Sequence, residues 1–290
     1  MSLGYEAMRH GAAWLDLSAR GRIVVRGRDR ARLLHAITSN EVKKMTPGMG
    51  CYAFLLNPQG RIQADLSLFC FDDHFLIDTE PELREKVRLH IKRYIIADQV
   101  ELEDVTEQTA AIGLEGPGAA GVLSSLGAPP LPESAYAHAP WGEATLAAVT
   151  VTGQPGVRIF CPADQAAAVI HRLEEAGAVA ASSDDARLLR IENGKPRYGE
   201  DIRETSLPQE TQQMHAVSFN KGCYLGQEIV ERIRAQGRVN KKLMRVVLEG
   251  GEVPAAGTKT TVDGAEAEVT SAAVSPASGE VVALAYVRQR

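Results

Sequence analysis

The sequence predicts an α+β fold that ends in a small all-β unit. Apolar strand-like runs and amphipathic helices alternate between residues 20 and 178, whereas after Arg238 only short β-prone runs remain, separated by Gly and Pro. A chain of 290 residues is long enough for two or three structural units, each with its own hydrophobic core. We therefore place a boundary near residue 240 and expect a small barrel or sandwich after it.

The first half of the chain alternates strands with helices around an antiparallel meander. Residues 20–27 form an apolar β-prone run, and residues 28–40 carry leucine and isoleucine at helical spacing. Residues 51–79 contain three apolar runs separated by turn sequences, which predicts three strands. Residues 81–99 open with a proline tolerated in a first helical turn and continue as an amphipathic helix. Residues 100–105 return as a strand.

The second half has weaker patterns but keeps the same alternation. Residues 115–133 predict a helix that closes into a Pro-rich loop, and residues 141–151 and 156–161 predict strands. Residues 162–178 form an amphipathic helix that ends at Gly177. The helix–strand mixture ends near residue 240, so the first part is expected to be α+β throughout.

Composition limits the function classes. Hydrophobic residues make up 44% and charged residues 24%, and no apolar run approaches the roughly 20 residues of a membrane span. The first residues lack a positively charged start followed by an apolar stretch, so we expect a cytoplasmic protein without membrane association. The net charge of −5 argues against direct nucleic-acid binding.

Charge is uneven along the chain. Residues 221–245 hold seven basic and two acidic side chains. This strip is suited to a polyanionic ligand, although a solvated helix face explains it equally well.

The octapeptide KGCYLGQE, residues 221–228, combines a thiol, a phenol, an amine and a carboxylate with two glycines. Its glycines let backbone approach a ligand closely. Lys221 lies two residues before Cys223, and the residues that follow predict a helix beginning at about residue 224. A cation and a helix N-terminus both favour a thiolate, so Cys223 is a candidate nucleophile or ligand, with Lys221 assisting it.

The remaining cysteines and the histidines show no metal-binding pattern. Cys51, Cys70 and Cys161 lie in apolar runs, where cysteine usually acts as a small hydrophobe. There is no CxxC pair and no HxxxH or HExxH spacing, so no metal site is predicted. His215 lies six residues before the octapeptide in a polar stretch and is interpreted as a bystander.

The octapeptide resembles the K-G-C-Y-x-G-Q-E motif of the YgfZ family, folate-binding proteins that assist iron–sulfur cluster maturation. That family shares its fold with the aminomethyltransferase of the glycine cleavage system, the T-protein. Further blocks resemble the family in order: LLHAITSNEVKKMTPG, NPQGRIQADLSLF, LLRIENGKPRYGEDI and VTSAAVSPASGEVVALAYVR. The resemblance implies a folate-binding portion of two α+β subdomains at residues 1–240 and a C-terminal β-barrel at residues 241–290.

The resemblance also implies which residues bind tetrahydrofolate. Glu192 occupies the position of the pterin-binding glutamate, and a carboxylate accepts two adjacent N–H groups of a pterin side by side. Asp65 matches one acid of a T-protein Asp-Asp pair whose other position is Ala64 here, which weakens the analogy with aminomethyl transfer. The family further implies that Cys223 is functional.

The other ligand-binding candidates come from the octapeptide and the helix after it. Tyr224 either stacks on the ligand or fills the core, and Gln227 belongs to the signature loop. Arg232, Arg234 and Arg238 are candidates for the carboxylates of a folate glutamate tail, because a guanidinium matches a carboxylate.

These implications favour a tetrahydrofolate-binding protein that helps assemble or repair iron–sulfur clusters in client enzymes, with iron–sulfur client or assembly proteins as partners. The alternatives are a folate-dependent one-carbon transferase resembling aminomethyltransferase, and an interaction module with a vestigial cavity. The first interpretation requires Glu192 and Cys223 to open onto one shared hollow.

Overall fold

The computed structural model describes residues 2–130 and 133–289, so residues 131 and 132 of the predicted Pro-rich loop lie outside the described residues. The α-helices are α1 (Leu3–His10), α2 (Arg30–Ile37), α3 (Arg84–Arg93), α4 (Ala119–Ser125), α5 (Ala166–Glu175), α6 (Ser183–Glu192), α7 (Pro208–Thr211) and α8 (Gln227–Gln236). Short 3₁₀ turns occupy Pro81–Leu83, Ala163–Gln165 and Met214–Ala216.

The strands form three sheets in the described ranges. Their bounds are β1 (Ala13–Asp16), β2 (Gly21–Arg26), β3 (Gly50–Leu56), β4 (Ile62–Cys70), β5 (His74–Thr79), β6 (Glu101–Asp104), β7 (Thr109–Glu115), β8 (His138–Trp141), β9 (Ala144–Ala147), β10 (Gly156–Pro162), β11 (Val179–Ala180), β12 (Lys241–Leu248), β13 (Lys259–Val262), β14 (Ala265–Val274) and β15 (Val281–Arg288).

The first sheet has five strands in the order β3-β4-β5-β2-β6, and every neighbouring pair is antiparallel. The predicted meander is its β3-β4-β5 part. Successive side chains of β4 point to opposite faces, so Ala64 packs in the apolar core with helices α2 and α3 while Asp65 faces the other way. Opposite Asp65 on β3 lies Phe54, and opposite Ser67 lies Tyr52.

The second sheet has six strands in the order β11-β1-β7-β10-β9-β8. It takes its strand β1 from the start of the chain, so the N-terminal residues belong to the second α+β unit rather than the first. Apolar side chains from both sheets form a common core between them, with the rings of Phe69 and Phe160 packed edge to face at 5.4 Å. This junction positions one sheet against the other along the wall of the cavity described below.

The C-terminal strands form an open antiparallel sheet in the order β12-β15-β14-β13, not the closed barrel that was expected. The rest of the protein covers this sheet instead. Helix α6 packs against β14 and β15, and the Tyr286 hydroxyl donates to the carbonyl of Asp201 at 3.0 Å. The Asp201 carboxylate accepts hydrogen bonds from Thr270 and Ser271, each 2.6 Å long. Because α6 and the segment around Asp201 pack on this sheet, its apolar face is buried without closure into a barrel.

Most predicted elements appear near their expected positions, with two local differences. The strand expected at 141–151 is a hairpin of β8 and β9 that turns at Gly142, where φ is 61°. The helix expected at 81–99 starts as a 3₁₀ turn and ends at Arg93. None of the helices in the described residues is long and apolar enough to cross a membrane. The domain boundary near residue 240 stays a prediction, and β12 begins at Lys241.

Candidate ligand cavity and the octapeptide

A cavity of about 830 Å³ lies where the two α+β sheets and helix α6 meet. Its wall draws on β1, β3, β4 and β10, on the loop before β8, and on the segment after α6. The polar and aromatic side chains of the wall used below are Arg20, Tyr52, Asp65, Glu80, Tyr136, Arg158, Arg187, Arg190, Lys195, Arg197 and His215.

Asp65 is the carboxylate placed to act on a ligand. Its Oδ2 accepts a hydrogen bond of 2.7 Å from the Tyr52 hydroxyl, and its Oδ1 is buried without a protein partner. Burial raises the pKa of the Asp65 carboxyl to about 6, and the nearby charge of Glu80 acts in the same direction. An acid with a pKa near neutrality and a free oxygen is suited to general base catalysis.

Ala64 does not remove an acid from this cavity. Its side chain is 1% exposed and lies in the apolar core, since neighbouring residues of a strand face opposite sides. A carboxylate at position 64 would enter hydrocarbon rather than the ligand site. The comparison with the Asp-Asp pair therefore weighs less against transferase chemistry than the sequence indicates.

Three nearly parallel rings line the cavity beside Asp65. Their centroids form a triangle: Tyr52 is 5.3 Å from His215 and 6.1 Å from Tyr136, and Tyr136 is 6.5 Å from His215, with interplanar angles of 14–23°. Tyr136 has φ of 63°, and a Cβ at Gly50 would lie 2.1 Å from its carbonyl oxygen, so glycine is required for this loop to reach β3. His215, interpreted as a bystander, is thus part of the wall. Burial lowers its pKa.

The floor of the cavity is a buried network of opposite charges. Asp78, fully buried, pairs with Arg20 at 2.8 Å and also with Arg158. Glu80 pairs with Arg20 and with Arg197, the latter at 3.0 Å. The network holds three arginines, Arg20, Arg158 and Arg197, against the site in one arrangement.

Helix α6 presents a basic face to the cavity. Arg187 and Arg190, three residues apart, both pair with Glu200, at 2.9 and 2.8 Å. Lys195 follows on the same side after the helix ends.

Glu192 is not among the residues of the cavity wall, and its role as a pterin ligand stays a prediction. Both of its carboxylate oxygens accept from the Tyr5 hydroxyl, at 2.8 and 2.9 Å, and Arg9 of α1 lies 3.5 Å away. Residue 192 is two positions beyond Arg190, or about 200° around an α-helix, so it faces α1. Its carboxylate therefore joins two helices in this structure.

Lys221 anchors the octapeptide to the end of α2, and its assistance to the Cys223 thiol stays a prediction. The Lys221 ammonium donates to the carbonyls of His35 and Thr38, each at 2.5 Å, at the C-terminal end of α2. Burial lowers its pKa to about 8. These two carbonyls have no partner inside the helix, so Lys221 acts as a C-terminal cap.

Cys223 is exposed, whereas Cys70 and Cys161 are buried and Cys51 is half-buried. Helix α8 begins at Gln227, four residues after Cys223, beyond the reach of the favourable helix end. Cys223 and Glu192 both lie outside the wall of this cavity, and the hollow expected to be shared between them stays a prediction. In the part of the chain that the structure describes, no three His, Cys, Asp or Glu side chains are grouped to hold a metal.

The remaining octapeptide and helix candidates also lie outside the cavity wall. Tyr224 is 7% exposed and packs in the core of the first sheet, with the Lys221 ammonium 4.9 Å from its ring. Gln227 is half-buried in the first turn of α8, and Arg232 and Arg238 are exposed. These four positions are placed for packing or for a surface contact, and their role in ligand binding stays a prediction.

The octapeptide docks on the turn between β3 and β4. A Cβ at Gly226 would come within 2.6 Å of the Asn57 carbonyl oxygen, and one at Gly60 within 2.8 Å of the Ile229 side chain. The start of α8 and the turn that leads to Asp65 therefore pack in direct contact, which requires glycine on both sides.

Comparison with known proteins agrees with this architecture. The family model described as GCVT N-terminal domain matches residues 4–221. The chain belongs to this family. An aminomethyltransferase from Rubrobacter xylanophilus is 33% identical over 293 residues, covering 98% of this chain and 78% of the relative. One from Thermus thermophilus is 31% identical, covering 98% and 81%.

A crystal structure of the glycine cleavage system aminomethyltransferase T from Bartonella henselae superimposes with a TM-score of 0.86. The match covers 98% of this chain and 80% of that one at 21% sequence identity, so it establishes the fold alone. The predicted α+β fold with a small C-terminal β unit is confirmed for this GCVT-family chain.

Proposed function

We propose that this GCVT-family chain binds a reduced folate, tetrahydrofolate or a one-carbon derivative of it, and acts as a folate-dependent one-carbon transferase resembling aminomethyltransferase. The observation that carries the proposal is Asp65, an acid with a free oxygen and a pKa of about 6, facing a large cavity. The aminomethyltransferase relatives, similar over nearly the whole chain, support the same reaction class.

The residues present fit such a ligand. The cavity volume of about 830 Å³ lies within the roughly 300–1,000 Å³ typical of small-molecule sites. The ring of Tyr52 and its two neighbours supply flat surfaces for an aromatic ligand. The unpartnered Oδ1 of Asp65 supplies an acceptor for an N–H group, and five arginines supply donors around it.

A bound tetrahydrofolate supplies ring nitrogens that carry the one-carbon unit. Asp65 accepts a proton from a reacting amine, and Tyr52 holds the carboxyl in position through its 2.7 Å hydrogen bond. The paired charges of Asp78 with Arg20 and Arg158 hold the floor of the cavity in one arrangement beneath the reacting groups.

Calorimetry with 5-formyltetrahydrofolate tests the proposal directly. We expect saturable binding to the purified protein, accompanied by a rise in Tm, because a ligand that binds only the folded state stabilises it. The variant Cys223→Ala serves as the matched control and is expected to bind with unchanged affinity, since the thiol lies outside the cavity wall. Absence of both binding heat and a Tm rise in the wild type would contradict the proposal that the protein binds folate.

A second candidate function is iron–sulfur cluster maturation of the YgfZ type, in the cytoplasm, with folate as ligand and client or assembly proteins as partners. The observation that favours it is the exposure of Cys223, on an octapeptide held rigidly by Lys221 and by two glycine contacts. A single thiolate does not hold a cluster alone, so ligands from a partner are implied.

Complementation of a deletion strain tests this second function. If the thiol acts on clusters, Cys223→Ala is expected to leave cluster-enzyme activity at the level of the deletion, while wild type restores it. Cys161→Ala, which removes a buried thiol, is the control and is expected to restore activity. Equal rescue by wild type and Cys223→Ala would leave the thiol without a role and favour the transferase.

A further inference from the structure

The cavity wall contains six basic side chains, and five of them are neutralised by carboxylates. Arg20 and Arg158 pair with Asp78, Arg197 with Glu80, and Arg187 and Arg190 with Glu200. The sixth is Lys195. Among the described residues, no carboxylate oxygen lies within 4.0 Å of its ammonium.

Lys195 is held in place by the backbone instead. Its ammonium donates to the carbonyl of Thr150, another residue of the wall, and its own amide donates to the Arg190 carbonyl at 2.7 Å. A carbonyl takes one of the three donors of an ammonium, so donors remain for a ligand. The neighbouring Gly194 and Pro196 also line the cavity.

An uncompensated cation in a partly desolvated wall is costly, since burial disfavours the charged form. Burial is the main reason that the pKa of Lys195 falls to about 8; the charges of Glu115 and Glu80 oppose the fall, and those of Arg158 and Arg20 add to it by repulsion. An anion bound beside the amine removes this cost, because opposite charges attract strongly where water is excluded. An anionic ligand beside Lys195 would therefore be stabilised at this point of the wall.

We propose that Lys195 is the anchor of an anion-binding position in the cavity, and that the ligand carries a carboxylate at this point. This inference rests on the proposed function for the identity of the larger ligand, but not for the existence of the anion position. Carboxylate chemistry has two possible sources, the glutamate tail of the folate itself or a separate small acid bound beside the pterin.

Three ligands separate these sources by calorimetry. 5-Formyltetrahydrofolate carries the tail, 6-methyltetrahydropterin has the ring without any carboxylate, and acetate is a minimal carboxylate whose uncharged isostere is acetamide. Each is titrated into wild type, Lys195→Met and Lys195→Arg, with acetate and acetamide added to protein saturated with the pterin. Lys92→Met, an exposed lysine outside the wall, is the matched control.

If the tail is the source, Lys195→Met lowers the affinity for 5-formyltetrahydrofolate at least tenfold. The affinity for 6-methyltetrahydropterin stays within twofold of that of wild type. If a separate acid is the source, Lys195→Met lowers the affinity for acetate at least tenfold. Acetamide is expected to bind wild type and both Lys195 variants much more weakly than acetate binds wild type. In either case Lys195→Arg, which keeps the charge, restores part of the affinity, and Lys92→Met matches wild type. Unchanged binding of the pterin also shows that the variants are folded.

The pH profile gives an independent check. The charged groups around the amine are Glu115, Arg158, Arg20, Glu80 and His215. Arginines stay charged and carboxylates stay ionised above pH 7.5, so Lys195 is the group that titrates there. Affinity for the carboxylate ligand is expected to fall about tenfold per pH unit above pH 8, and Lys195→Arg is expected to abolish that fall.

The proposal is overturned if Lys195→Met leaves both carboxylate ligands within twofold of wild type. A different result identifies failure of the proposed function alone: wild type binds no pteridine, yet millimolar acetate raises its Tm and does not raise that of Lys195→Met. If neither pteridine nor acetate affects the wild type, both proposals fall.

Discussion

Replacing Asp65 with Asn is expected to lower folate-dependent one-carbon transfer by about 10²- to 10⁴-fold, the usual contribution of a positioned general base. The amide has nearly the same shape and still accepts from Tyr52, but it cannot take up a proton at the working pH. The measurement is single-turnover transfer from an amine donor to tetrahydrofolate. Folate affinity is expected to change much less than the rate.

The pH dependence of the transfer rate tests the role of Asp65 as a general base. Asp65 acts as the carboxylate, so the rate is expected to rise with pH and level off above its pKa of about 6. The Tyr52 hydrogen bond lowers that pKa, so Tyr52→Phe is expected to move the midpoint upward. Turnover that survives Asp65→Asn, or that is lost in Cys223→Ala, would contradict the assignment of the acid.

The order of strands and helices was predictable from the sequence because it depends on local periodicity. The meander of β3, β4 and β5 follows from apolar runs separated by turn sequences, and α5 from its spacing of apolar residues. Closure of the C-terminal sheet was not predictable. Whether four strands close or stay open depends on what covers them, and the cover here comes from α6 and Asp201, remote in sequence.

The candidate site was predicted only in part, because spacing along the chain does not fix direction. Asp65 was identified, but Ala64 was taken as the loss of a second acid from the site, whereas its side chain faces the apolar core on the other side of the strand. Glu192 was placed in the cavity by resemblance, yet it lies about 200° around α6 from Arg190 and bonds to Tyr5. The presence of α1 against this face is a long-range contact that no local pattern reveals.

Other site residues were missed because each looks ordinary by itself. Tyr52 lies on β3 and Tyr136 in the loop before β8, so they become a pair only after folding. Lys195 is a common surface residue type, and its lack of an acidic partner is visible only in three dimensions. Lys221 was identified in the octapeptide, but its hydrogen bonds to the end of α2 join residues more than 180 positions apart and could not be read from the sequence.

Asp78→Ala is expected to be the most destabilising substitution in the cavity floor. Asp78 is fully buried and neutralises Arg158, which is 2% exposed, as well as Arg20. Removing one partner of a buried ion pair leaves an uncompensated charge and typically costs about 3–5 kcal/mol. Chemical denaturation is expected to show a loss of that size in the free energy of unfolding, with a lower Tm.

The exposed pair between Arg26 and Asp73 provides the control for that loss. Asp73→Ala breaks an ion pair whose acidic side chain is 70% exposed, and screening by water makes it worth little, so the free energy of unfolding is expected to stay near wild type. The double variant Asp78→Ala with Arg158→Met removes the buried charge together with its partner, and it is expected to recover part of the stability. Equal stability of Asp78→Ala and Asp73→Ala would show that the floor is hydrated, and the low-dielectric surroundings that raise the pKa of Asp65 would then be absent.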